Sequence, residues 1–340
     1  MGNSLGVGVG LGVGLSVGAA ALMQAAAAPN IEPVKRSSEA HANRVVTQHQ
    51  HKLDDSLCCS FREEDIDESS AEKLRDAMSY AKNNPMLIQV PVLGTAKKLW
   101  RLSDKATRIS RKLALILRSQ HSVGKYLTAP LQVSNVWIGS NGSVKLRGVS
   151  FADWGFSIHR VREDYKRLSR FLMLLIGISG GDVRKLPPDY RKFLVLLRSD
   201  NLTMEDEFLI VNNTALLPME NRTEVFLMLH DRIINYLGRK NPTKRNRILS
   251  KLPYKKNWLD TAKANVKINQ WVVDVKNVYR RSPLDLLRLN RNVRCHMHEY
   301  SNDDFEETLY YEWPELLMVM EKMLYLEGEL KGTGIQNKFG

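Results

Sequence analysis

Between Ser103 and Gly177 the spacing of apolar residues changes period twice, and this alternation narrows the choice of fold more than any other feature of the chain. Ile109, Leu113 and Leu117, with Ala114 and Ile116 beside them, recur at helical spacing behind the capping residues Ser103 and Asp104. In "LQVSNVWIGSNGSVKLRG", residues 131–148, the period drops to two. Val136 and Ile138 flank Trp137, Ser140-Asn141-Gly142 makes a turn, and Val144 and Leu146 flank Lys145. That pattern predicts a β-hairpin. Helical spacing returns in "DYKRLSRFLMLLIG", Asp164–Gly177.

Further on the chain reads as helical throughout. Glu220–Leu237 is amphipathic, with Val225, Phe226, Met228, Leu229, Ile233, Ile234 and Leu237 clustered, and Gly238 is expected to stop it. "NPTKRNRILSKLPYKK" reads as a basic loop and "NWLDTAKANVKINQWVVDVKNVY" as a second helix. A third helix is "SPLDLLRLNRNVRCH", with Ser282 and Pro283 suited to its N-cap and first position. The last is "WPELLMVMEKMLYL", with Pro314 in its first turn. Residues 218–330 therefore predict a small all-helical domain, and 331–340 a tail.

The charge is uneven. The net charge is +13, and residues 231–300 alone hold 17 Lys/Arg against 5 Asp/Glu. Such a concentration suits a polyanion, either nucleic acid or an anionic membrane surface; the alternative is a solvated helical surface. Cys58, Cys59 and Cys295 make no disulfide framework, which points to a reducing compartment, and no CxxC pair argues for zinc.

Residues 5–28 carry no charge and are long enough to span a bilayer, but six glycines weaken a helix there. Two readings stand: a membrane anchor with the bulk of the chain in the cytosol, or a low-complexity disordered tail on a cytosolic protein. Lys35, Arg36 and Arg44 follow on the side that the positive-inside rule would leave cytosolic. Residues 29–94 read as a polar linker with an uncertain remnant of an N-terminal lobe.

Helix, hairpin, then an apolar helix opened by an Asp resembles the C-terminal lobe of protein kinases over residues 95–217. On that resemblance Asn135 falls on the magnesium-binding Asn and Asp164 on the Asp of the long central helix. The reactive groups are missing, however. Thr128-Ala129-Pro130 stand where His-Arg-Asp is expected, Gln132 replaces the following Lys, and Gly148-Val149-Ser150 replace Asp-Phe-Gly. The resemblance thus implies a pseudokinase without phosphoryl transfer and without a bound nucleotide or metal cofactor.

Behind that lobe stands the series Tyr279, Asp285-Leu286-Leu287-Arg288, Arg291-Asn292, His296, Phe305 and Trp313-Pro314-Glu315-Leu316-Leu317. It resembles the KEN ribonuclease domain, which follows a kinase-like lobe in ribonuclease L and in stress sensors of the inositol-requiring-enzyme type. The resemblance implies a mainly α fold, a kinase-like lobe remnant followed by the KEN-like helices. It also implies an active site of Tyr279, Arg291, Asn292 and His296. Asn292 and His296 are four residues apart, so a continuous helix puts them on one face.

The implied reaction is metal-independent RNA cleavage. The ribose 2′-OH attacks phosphorus and expels the 5′-oxygen, leaving a 2′,3′-cyclic phosphate and a 5′-OH. His296 would protonate the leaving oxygen, Tyr279 would orient or deprotonate the 2′-OH with help from Arg280 and Arg281, and Arg291 and Asn292 would hold the phosphate. Lys255, Lys256, Arg280, Arg281 and Arg294 would draw in the RNA backbone. The family context adds a homodimer, or a heterodimer with a related KEN protein, and a place in mRNA processing or the unfolded protein response. A different reading is an inactive regulator that binds RNA or pairs with an active relative. His296 can also be a solvated helix-end residue, and Cys295, His296 and His298 are conceivable as metal ligands but too tightly spaced to close a tetrahedral site.

Overall fold

The computed structural model describes residues 73–273, 278–300 and 305–339, with the backbone alone for 297–300. The expectations for residues 5–28, for the linker up to residue 72, for Cys58-Cys59 and for the His298 side chain lie outside the described residues. Among the described residues no helix is long and apolar enough to cross a membrane.

The elements begin with strand β1 (Arg75–Asp76), helix α1 (Ala77–Asn83), and strands β2 (Leu87–Pro91) and β3 (Lys98–Leu102). Helix α2 (Asp104–Ser122) follows, then β4 (Tyr126–Leu127), β5 (Val136–Ile138), β6 (Val144–Leu146) and β7 (Phe151–Ala152). Helices α3 (Ile158–Ile178), α4 (Pro188–Leu197) and α5 (Glu207–Val211) complete the first half. The second half holds α6 (Arg222–Asp231), a π turn (Arg232–Tyr236), α7 (Leu237–Lys240), α8 (Pro242–Lys251), α9 (Trp258–Ala264) and α10 (Val266–Val272). It closes with α11 (Pro283–Tyr300), α12 (Glu306–Glu312), α13 (Leu316–Leu326) and two short 3-10 turns. The described residues are mainly helical, with three small antiparallel sheets, β1-β5-β6, β2-β3 and β4-β7.

The period changes map onto real elements. Ser103 caps α2 by accepting from the Ala106 N–H, and Ile109, Leu113 and Leu117 are buried. The hairpin pairs Val136 with Leu146 and Ile138 with Val144, and Gly142 turns it at φ +84°. The third helix starts at Ile158, so Asp164 lies within it and not at its start. There Asp164 is fully buried, accepts the Leu127 N–H at 2.8 Å and faces His121 Nε2 at 3.2 Å. Glu207 takes the other ring nitrogen at 2.6 Å. Burial opposes a charged ring, but these two carboxylates outweigh it and raise the His121 pKa.

Three expectations in the second half give way. Gly238 does not stop its helix, which runs to Lys240, because Pro242 disfavours helical backbone before it and Asn241 caps the next helix instead. The "basic loop" is helix α8, whose charges are met by acids distant in sequence: Lys244 bonds Glu329 at 2.8 Å and Arg247 bonds Glu327 at 2.6 Å. The single helix from Asn257 breaks at Asn265. That side chain accepts the Lys267 and Ile268 N–H groups, and its amide donates to Leu93 O and Glu312 Oε1. The β2–β3 turn presses on this break, and a side chain at Gly94, which has φ +74°, would meet the Lys267 backbone nitrogen at 2.8 Å.

One core cluster runs from Ala77 through both halves to Phe339. Ile335 is fully buried and Phe339 nearly so, so the last residues pack as core instead of trailing as a tail. Within this core Glu321 accepts the Thr214 N–H and hydroxyl on one oxygen, while its other oxygen has no partner. Burial pushes its pKa up to about 8. The folded state therefore binds a proton that the unfolded state has released, and stability falls as pH rises from the ordinary carboxylate range to about 8. Glu321→Gln keeps the acceptor and removes the ionisation. In urea titrations its stability relative to wild type should rise by about 2 kcal/mol or more between acidic and mildly alkaline pH. An unchanged difference would show that Glu321 ionises freely.

Candidate active site on helix α11

Helix α11 begins where Ser282 accepts the Asp285 N–H at 3.1 Å. Leu286, Leu287, Leu289 and Val293 turn into the core, which fixes the helix's rotation and leaves Arg288 and Arg291 exposed. Asn292 and His296 lie one turn apart, both partly exposed. Tyr279 precedes the helix in a segment without regular secondary structure and is 9% exposed. Its ring meets that of Trp258 edge to face, with centroids 6.2 Å apart.

The hydrogen bond from Asn292 Nδ2 to Tyr279 Oη, 3.0 Å long, joins residues 13 apart in sequence. Arg291 Nη1 donates to Asn292 Oδ1 at 3.2 Å, so three of the four residues form a chain of contacts. His296 follows on the next turn of the same helix. The guanidinium over the Tyr279 ring is that of Arg288, at 4.6 Å, and not that of Arg280 or Arg281. Arg281 is held by Asp260 through two bonds of 2.5 and 2.6 Å and by the Lys256 carbonyl.

The remaining RNA-contact candidates divide. Lys255, Lys256 and Arg280 are exposed, and Lys255 bonds the Ser250 carbonyl. Arg294 is 7% exposed and faces inward. It makes a two-pronged ion pair with Glu306, at 2.8 and 2.9 Å, and stacks on Phe226 at 4.1 Å. As a buried, paired cation it offers nothing to a solvent polyanion. The apparent basic excess shrinks in the same way, because residues 301–330 hold 9 Asp/Glu and 1 Lys, and Glu306, Glu327 and Glu329 fold back onto Arg294, Arg247, Arg232 and Lys244. Among the described residues, Arg280, Arg291 and Lys256 keep no carboxylate partner.

One neighbour escapes sequence reasoning. His230 on α6 lies half-buried near Arg291, and burial, then the Arg291 charge, push its pKa down to about 4. It therefore presents a neutral imidazole at physiological pH. A lone His in an apolar helix gives no sequence signal for this; only the packing of α6 on α11 brings it there.

Asn135, which the resemblance sets at a kinase metal position, donates to the Arg147 carbonyl at 3.1 Å and closes the base of the hairpin. Among the described residues no three His, Cys, Asp or Glu side chains gather as a metal site. No protein-family model matches the chain, and no curated protein does.

Replacing Arg294 by Ala would leave Glu306 buried without its main partner. The expected cost is about 3–5 kcal/mol, read as a lowered denaturation midpoint. A variant as stable as wild type would return Arg294 to the surface candidates.

Proposed function

We propose that this chain is a metal-independent endoribonuclease: a KEN-like helical domain on a kinase-like lobe that has lost its phosphoryl-transfer groups. The observation that supports this best is the 3.0 Å contact between Asn292 and Tyr279. Residues that the resemblance assigns to one active site, 13 apart in sequence, meet where Asn292 is partly exposed, beside Arg291, which has no carboxylate partner among the described residues.

The chemistry follows from these groups. Arg291 and the second amide proton of Asn292 hold the scissile phosphate and offset charge developing on its oxygens. Tyr279 Oη, with the Arg288 guanidinium against its ring, orients the ribose 2′-OH for in-line attack on phosphorus, and the 2′-OH proton passes to solvent water as the new P–O bond forms. His296, as imidazolium, gives its proton to the departing 5′-oxygen. The products are a 2′,3′-cyclic phosphate and a 5′-OH, and no metal enters the step. RNA is the partner in this reading, and the family's dimeric assembly, as two like copies or with a related protein, is part of the proposal.

The test uses the full chain with an end-labelled stem–loop RNA in excess EDTA. We expect cyclic-phosphate ends, and a loss of about 10²–10⁴-fold with His296→Ala. Tyr279→Phe keeps the ring against Trp258 and should lose about tenfold or more in turnover without a loss of fold. Equal background from wild type and His296→Ala would sink the enzyme. Salt-sensitive RNA binding without cleavage would instead favour a regulator that binds RNA or pairs with an active relative.

A further inference from the structure

On the other half of the protein a cavity of about 320 Å³ opens between helix α2 and the tip of the β5–β6 hairpin. Arg108, Arg111 and Lys112 line it from α2, Asn141 and Gly142 from the turn, and Phe339 from the C-terminal segment. None of its lining residues is acidic. A side chain at Gly142 would lie 3.5 Å from Arg108 Cβ, so the turn rests directly on the helix and walls the cavity.

Arg111 is the unusual member. Its guanidinium stacks on Phe339 at 4.2 Å and donates to the carbonyl of Val211 at 2.9 Å. The amide oxygen of Asn212 and the carbonyl of Gln336 follow, each at 3.4 Å. Every one of these acceptors is neutral, so a half-buried positive charge has hydrogen bonds but no counter-charge. Burial, then Arg118, push its pKa down to about 10, so it stays charged at physiological pH. Among the described residues Lys112 pairs with nothing, and the only acid on Arg108 is the exposed Glu220 at 3.4 Å. Three cations around one concavity, with no acid in its wall, leave an electrostatic demand that an anion would meet.

We propose that this cavity binds a small phosphate-bearing molecule of nucleoside- or sugar-phosphate size. The phosphate takes the open N–H groups of Arg108, Arg111 and Lys112, and the organic part lies against the hairpin turn. The volume is that of a small-ligand site. Because Arg111 also holds the Gln336 carbonyl, and Asn221 holds that of Lys338 at 2.8 Å, ligand bound there would brace the C-terminal segment against α2. This proposal does not rest on the ribonuclease reading.

The test is calorimetric titration of the full chain with adenosine 5′-monophosphate, with inorganic phosphate and with adenosine, in chloride buffer free of other oxyanions. We expect saturable binding of the two phosphates, none of adenosine, and a melting temperature that rises with ligand concentration. Lys112→Glu and Arg108→Glu alter exposed or half-exposed side chains and should fold as wild type while weakening the phosphates by about tenfold or more each. Arg111→Lys removes the planar fork but risks the Phe339 packing, so the two glutamate variants decide. No binding at millimolar ligand, equal binding of adenosine, or indifference to both glutamate variants would overturn the proposal. So would a site that takes RNA oligonucleotides but neither phosphate.

Discussion

Four buried charges from four different helices hold the two halves of this protein together and set the position of helix α11. Asp189 of α4 lies 3.5 Å from Arg222 of α6 and accepts the Tyr310 hydroxyl of α12 at 2.5 Å. Arg222 donates to the Thr214 carbonyl, lies over the Tyr310 ring at 4.1 Å and stands 3.9 Å from Glu306. Glu306 then takes Arg294 of α11 through both oxygens and the Thr223 hydroxyl through one. Two cations balance two anions, all four nearly buried. Deleting any one would strand its partner in a medium that cannot solvate it, so the set holds together as a unit. Burial still raises the Asp189 pKa, even with Arg222 beside it, which measures how dry this place is.

The candidate site depends on that network. Arg294 lies on α11 between Asn292 and His296, and its bond to Glu306 fixes the rotation that leaves Arg291 exposed and brings Asn292 to Tyr279. The inward arginine and the outward one are both charged and only three positions apart, and they do opposite work. One anchors a helix by being desolvated with a partner; the other remains available because, among the described residues, no acid reaches it.

Much of the fold could be read from local pattern. Ser103, the alternation around Trp137, the Asn141-Gly142 turn and the Ser282-Pro283 start each depend on hydrogen bonds or side chains within a few residues, and each appears where the sequence indicates. The failures share a cause as well. Asn265 breaks a helix because the Leu93 carbonyl and Glu312 carboxylate reward its side chain. Lys244 and Arg247 sit on a helix whose acids come from residues 327 and 329. Arg294 looks like one more surface cation until Glu306 is placed beside it. In each case the deciding group lies on another element, from 12 to 172 residues away, where periodicity and propensity carry no information. The Asn241-Pro242 start of α8 was legible by the same cap rules that found α11, but the run of charge masked it.

Local sequence accounts for the helical and hairpin segments and for the residue types at Tyr279, Arg291, Asn292 and His296. Those depend on covalent order and on contacts within a turn or two of helix. Packing across elements sets which basic side chains face solvent, that Arg288 and not Arg280 or Arg281 covers Tyr279, that His230 stands near Arg291, and that the C-terminal residues are core. Charge is additive along a chain, but its availability is not: a cation's energy depends on whether an acid and a dry surface meet it in space.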